Sequence, residues 1–276
     1  MGATTLENDH TGKYIDEKLT QMITEWKLRE KLFLILRDNA ANLVRTAHDQ
    51  YASLGCASHT LQLVIKDALF SEEAVKNVIK DCRKIVGHFR HSEQASKKLR
   101  KCQEQCDLPC HSLIQDIETR WNSTYLMLER LLEQKKAVNL YSVEHGGIST
   151  LSSSDWDLLK DITSALKFFY EATLDLSYDN ACISIIIPII SLLNRKLQIE
   201  DDAIPNEKEE LINMKKNLQV SLNKRFAFIK DHPLLITASL LDPRFKNKYL
   251  TSYEVEIGVK EIVNFLTESH TQINKE

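Results

Sequence analysis

A mostly α-helical chain is predicted by three observations. Apolar residues recur at helical spacing through most of the 276 residues, only one segment reads as a strand, and 43% hydrophobic residues suffice to fill a core. In order, Ile15, Leu19, Met22, Ile23 and Trp26 mark a first amphipathic helix. Leu32 to Arg37, five consecutive apolar residues and an arginine ahead of Asp38, is the one segment expected as a buried strand. A lone strand leaves backbone donors and acceptors unpaired, so it requires a partner. Leu61, Val64, Ile65, Ala68 and Leu69 follow the i, i+3, i+4, i+7, i+8 pattern, and Val75 to Phe89 and Ala95 to Cys106 continue it. Trp121, Tyr125, Leu128 and Leu132 define a further helix, expected to be capped by Asn122 or Ser123.

After the Gly146-Gly147 break, Ser154 with Asp157 predicts a capping arrangement opening a helix from Trp156 to Thr173. Ser184 to Leu197 has the composition of a strand or a helix. Its length and its continuation through Leu192, Leu193 and Leu197 favour a helix with Pro188 early in it. Leu211 to Ile229 reads as one long helix, and the acidic block Glu200, Asp201, Asp202, Glu207, Glu209 and Glu210 as a loop and helix start. Asp242-Pro243 stops the run Leu234 to Leu241, because proline disfavours a helical residue before it. Val259, Ile262, Val263 and Leu266 mark a last helix.

The longest strictly apolar stretch, Ile185 to Ile190, is far too short to cross a bilayer, and Met1 to Lys18 is polar, so neither membrane nor leader is expected. The six cysteines are therefore expected as reduced thiols. Net charge is −3, yet Lys80 to Lys101 holds eight basic residues against Asp81 and Glu93, a local balance of +6. Such a block is either a solvated helical face or a phosphate-contacting patch, with Lys97, Lys98, Arg100 and Lys101 its densest part.

Four separated motifs carry more. Asp38-Asn39-Ala40-Ala41-Asn42 follows the strand, and Cys56-Ala57-Ser58-His59, Asp116 to Ser123 and Leu241-Asp242-Pro243-Arg244-Phe245 come after it in that order. Together the set resembles the transposase domain of the hAT family, and within it the domesticated proteins named for BED zinc fingers. The resemblance covers His10 to about Lys246 and implies a partial RNase H-like α/β core of few strands, residues 1–65, followed by a large all-helical insertion, residues 66–276. It aligns Asp38 with the family's second catalytic acid and places Cys56 and His59 beside the active site. It implies that Arg120 and Trp121 meet DNA, the indole stacking on a flipped base. Stacking supplies roughly 1–3 kcal/mol per base against an unstacking cost of a few kcal/mol. Trp121 is equally in register with Tyr125 and Leu128, so a core tryptophan remains open.

Two Mg²⁺ ions in such nucleases need several carboxylates, and Asp38 supplies one; Asp116 and Glu118 are the substitutes in reach of the motifs. The family's first and third acids and its dimerisation segment are not found, nor the Cys-x-x-Cys of a BED finger. No metal is expected in this chain: Cys102 and Cys106 fall on an apolar helical stripe, and Cys110 and His111 do not complete a site. The expectation is a catalytically inactive, transposase-derived nuclear protein fragment associated with DNA or chromatin, homo-oligomeric only in a full-length form. Two alternatives stand beside it: a fragment of an active Mg²⁺-dependent transposase, and a helical protein-interaction scaffold.

Overall fold

The computed structural model describes residues 9, 11–29, 31–41, 43, 52–201 and 208–273. It divides into two compact units, residues 1–60 and 61–276. Among the described residues the fold is mostly α with two strands. His10, Asn42, Asp202 and Glu207, which entered the sequence argument, lie outside the described residues.

The first unit opens with α1 (Gly12–Glu25), whose N-cap Thr11 accepts from the Tyr14 amide at 3.3 Å. Strand β1 (Ile35–Arg37) pairs in parallel with β2 (Ser53–Gly55), in the register Ile35 to Ser53, Leu36 to Leu54 and Arg37 to Gly55. The expected strand is thus half as long as its apolar run, and it is not buried. Phe33 and Leu36 are exposed, and only Leu54 of the pair is enclosed. Gly55 is closely approached: a Cβ there would displace the Asn39 side chain, whose Nδ2 donates to Thr60 Oγ1 at 3.0 Å.

Helix α2 (Ala57–Leu69) follows β2 and carries the chain into the second unit. There α3 (Glu73–His91) buries Val75, Val78, Ile79, Cys82, Ile85, Val86 and Phe89, the whole predicted stripe. Helix α4 (Glu93–Gln105) starts at Ser92, which caps it by accepting from the Ala95 amide at 3.2 Å. Helix α5 (Trp121–Glu133) has no side-chain cap. Ser123 instead accepts from the Ile117 amide at 2.7 Å, so it ties down the preceding turn. Helix α6 (Lys135–His145) packs on α4, and the long α7 (Ser153–Ser177) on α5.

The cap of α7 is Ser152 with Asp155, two residues before the expected pair. Asp155 lies at the third helical position, so both halves of the box close: its amide donates to Ser152 Oγ at 3.1 Å while its carboxylate accepts from the Ser152 amide at 3.2 Å. Helix α8 (Ile186–Asp201) carries Pro188 in its first turn, where no amide donor is missed. The expected long helix after the acidic block ends earlier, as α9 (Glu209–Arg225) followed by a 3-10 turn at Ala227–Asp231. Glu209 and Glu210 do open it.

Helix α10 (Pro233–Leu241) stops at Asp242 as expected, and α11 (Ser252–Ile273) lies against it. Their approach depends on Gly258, where a Cβ would strike the Leu240 side chain and lie 3.0 Å from Ile236 Cγ2. The Asp242-Pro243-Arg244-Phe245 turn is knotted: Asp242 Oδ2 accepts from Ser184 Oγ at 2.6 Å and from Arg244 Nη2 at 2.7 Å. Those two partners hold its carboxyl far below the usual carboxylate range.

Candidate functional site

Parallel pairing brings two of the sequence motifs together. Arg37 lies opposite Gly55, so the next residues, Asp38 and Cys56, leave neighbouring strands side by side, and the Cys56 amide donates to Arg37 O at 2.6 Å. The carboxyl ends of adjacent parallel strands are where α/β folds commonly place chemistry. His59 follows in the first turn of α2, half-buried like Cys56. Asp38, Cys56 and His59 therefore share one end of one unit.

What they can do there is limited by the donor set. Asp38 Oδ1 accepts from the Ala40 amide at 2.8 Å, the local turn that a strand-end aspartate makes before a helix. Among the described residues, no group of three His, Cys, Asp or Glu side chains converges on it. The described residues do not fit a two-metal centre, because Mg²⁺ needs several oxygen ligands at octahedral spacing.

Asp116 and Glu118, the substitute acids, are committed elsewhere. Arg83 Nε donates to Asp116 Oδ2 at 2.8 Å, and Nη2 lies 2.7 Å from the same oxygen, off the line a hydrogen bond needs. Thr124 Oγ1 adds a donor to that oxygen at 3.2 Å, and Glu118 faces Arg83 Nη1 at 3.2 Å. Asp116 is buried, so its carboxylate neutralises a guanidinium between α3 and α5.

Trp121 is 2% exposed. Its ring meets Tyr125 and Tyr170 edge-on, each 6.4 Å away, while those two tyrosines stack on each other at 4.6 Å. No open indole face is left for a base, because the register with Tyr125 and Leu128 turns the side chain inward. Arg120, by contrast, is exposed immediately before α5.

The basic block splits into paired and unpaired charges. Arg83 is consumed by Asp116, Lys84 Nζ lies 2.7 Å from Asp81, and Lys97 Nζ lies 2.8 Å from Glu93. No carboxylate of the described residues lies within ion-pair distance of Lys80, Arg90, Lys98, Arg100 or Lys101, all of them exposed. Arg90, Lys97, Arg100 and His111 converge on one open groove of about 400 Å³ between α3, α4 and the loop at residues 110–113. That loop is rigidly held: buried Gln103 donates to His111 O at 2.8 Å and to Gln134 Oε1 at 2.9 Å, and Gln134 donates to Pro109 O at 3.1 Å. Neither glutamine stood out in the sequence, since an isolated amide has no spacing signature. A second group missed there is Cys102 of α4 with Glu144 and His145 of α6.

Comparison with known proteins agrees with this architecture. A family model described as the ZBED1 RNase-like helical domain matches residues 54–165. The chain is 30% identical to human zinc finger BED domain-containing protein 4 over 268 residues, covering 96% of this chain and 22% of that protein. It is 31% identical to human zinc finger BED domain-containing protein 6 over 244 residues, 85% of this chain and 24% of the relative. An AC transposase of Zea mays is 28% identical over 193 residues, 63% of this chain and 24% of the transposase. The chain thus spans about a quarter of the length of these relatives. With its ordered motifs and mostly helical fold, the chain belongs to the hAT-transposase-derived proteins of the zinc finger BED type.

Proposed function

We propose that this chain is a DNA-associating domain of a nuclear, transposase-derived protein, and that it holds duplex DNA without cutting it. One observation carries the reading: Arg90, Arg100 and Lys97, the last paired with Glu93 on the same wall, converge on a single open groove within a chain of net charge −3. Guanidinium and ammonium groups gathered on one surface attract phosphates whatever the total charge. Exposed Arg120, Lys98 and Lys101 supply further cations on the same unit. Loss of cutting is inferred from Asp38, which among the described residues has no second carboxylate converging on it. Mg²⁺ belongs to the function only if the chain is part of an active transposase, and the placement of Asp38 beside Cys56 is what favours that second reading. Homo-oligomerisation is assigned to the full-length protein.

The test is duplex binding by fluorescence anisotropy over a salt series. Replacing Arg90, Lys97 and Arg100 by glutamine removes up to three phosphate contacts, and each contact contributes about 0.9 to the logarithmic salt slope. The slope is expected to fall by up to about 2.7. An unchanged slope, or no salt-dependent binding by the parent chain, refutes the reading and leaves a helical interaction scaffold.

A further inference from the structure

We propose that Cys102, Glu144 and His145 form a zinc-class metal site that ties the carboxyl end of α4 to that of α6. The thiol sulfur, one carboxylate oxygen and one imidazole nitrogen all lie within 4.8 Å of one another. Cys102 Sγ is 3.9 Å from Glu144 Oε2, and His145 Nε2 is 3.8 Å from that oxygen. Ligand bonds of about 2.0–2.3 Å around a tetrahedral ion separate neighbouring ligand atoms by about 3.3–3.6 Å. The cluster is therefore within about half an ångström of coordinating spacing along the two measured edges, an adjustment that side-chain rotation supplies.

The ligand types match as well. Sulfur, nitrogen and oxygen donors together suit Zn²⁺ or Co²⁺ and not Mg²⁺, which prefers oxygen alone. A thiolate and a carboxylate balance a dication, and the imidazole adds no charge. Without an ion the same group is awkward: Cys102 is fully buried with its sulfur facing a carboxylate. Burial, then Glu144 and Cys106, pushes its thiol pKa up. A bound dication reverses that preference, since a coordinating thiol gives up its proton outright, here to solvent, and the sulfur lone pair forms the metal bond.

Two helices already packed on each other position all three donors. Cys102 sits on the last full turn of α4, and Glu144 and His145 on the last turn of α6, where Gly146 breaks the helix with φ of 64°. The Glu144 and His145 side chains remain partly open to solvent, which gives the ion an entry path and a water the fourth position. The His145 ring is steadied edge-on by Tyr141 at 5.0 Å, so its orientation is set before any ion arrives.

Titration of the purified chain with Co²⁺ tests this directly. One cobalt per chain is expected, with a thiolate-to-metal charge-transfer band and tetrahedral visible bands, both removed by one equivalent of Zn²⁺. Cys102→Ala should abolish the charge-transfer band, and His145→Gln should weaken cobalt binding by at least about tenfold. His145 is at the surface, so His145→Gln keeps the test informative if Cys102→Ala does not fold. Absence of the charge-transfer band in the parent chain overturns the proposal, and so does binding that survives both substitutions.

Discussion

Replacing Asp116 by alanine is predicted to destabilise the chain strongly, because it strands a cation. The Asp116 side chain is 2% exposed and Arg83 is 22% exposed, with contacts of 2.7 and 2.8 Å between them. Removing one partner of a buried ion pair typically costs about 3–5 kcal/mol, since the other charge stays desolvated. Two features lower that figure: Arg83 keeps some water contact, and Glu118 remains 3.2 Å away, although 79% exposed. About 2–4 kcal/mol is the expected loss, read by urea unfolding. At this chain size each kcal/mol moves the melting midpoint by about 2–4 °C. The double variant Arg83→Met with Asp116→Leu removes both charges and should recover most of the loss. A single Asp116→Ala variant within about 0.5 kcal/mol of the parent refutes the structural role and returns Asp116 to consideration as a metal ligand.

Two further outcomes follow from buried groups. Trp121→Ala should cost about 3–5 kcal/mol in the same unfolding assay, while Trp121→Phe should leave duplex affinity within about twofold, because the indole is packed inside; a large affinity loss in the phenylalanine variant restores the base-stacking role. His232 is held below its ordinary pKa of 6.5 by burial, with Nδ1 enclosed and without a hydrogen-bond partner among the described residues. The unfolded chain then takes up the proton more readily, so His232's contribution is fully present above about pH 6.5 and is lost as pH falls below it. Unfolding measured from pH 8 to 5 should show that decline, and His232→Phe should flatten it; an unaltered profile removes His232 as its source.

Helices were legible wherever an apolar stripe repeats. The seven buried residues of α3 are the seven that periodicity selects, because burial on one face is what the pattern encodes. What failed was local or long-range. Ser53-Leu54-Gly55 is too short for alternation to register, so the partner of β1 was invisible even though a partner was required. The Ser154 and Asp157 cap was displaced by Ser152 and Asp155, an equally spaced pair that the sequence also contains. At the sites, Asp38 and Cys56 were singled out by motif, but that they leave adjacent strands side by side follows only from register. Cys102 is the core thiol that its helical register predicts, but its closeness to Glu144 and His145, some forty positions away, lies beyond the reach of any spacing rule.

The most direct test of the central claim, DNA association without cutting, is a cleavage assay on bound duplex. The parent chain and its Asp38→Asn variant are incubated with intact and pre-nicked duplex in Mg²⁺ or Mn²⁺, with binding followed in parallel. The account predicts a salt-sensitive complex in both and neither hairpin nor strand-transfer product in either, because one carboxylate cannot position two ions for in-line displacement. Metal-dependent products from the parent that vanish in Asp38→Asn would contradict it.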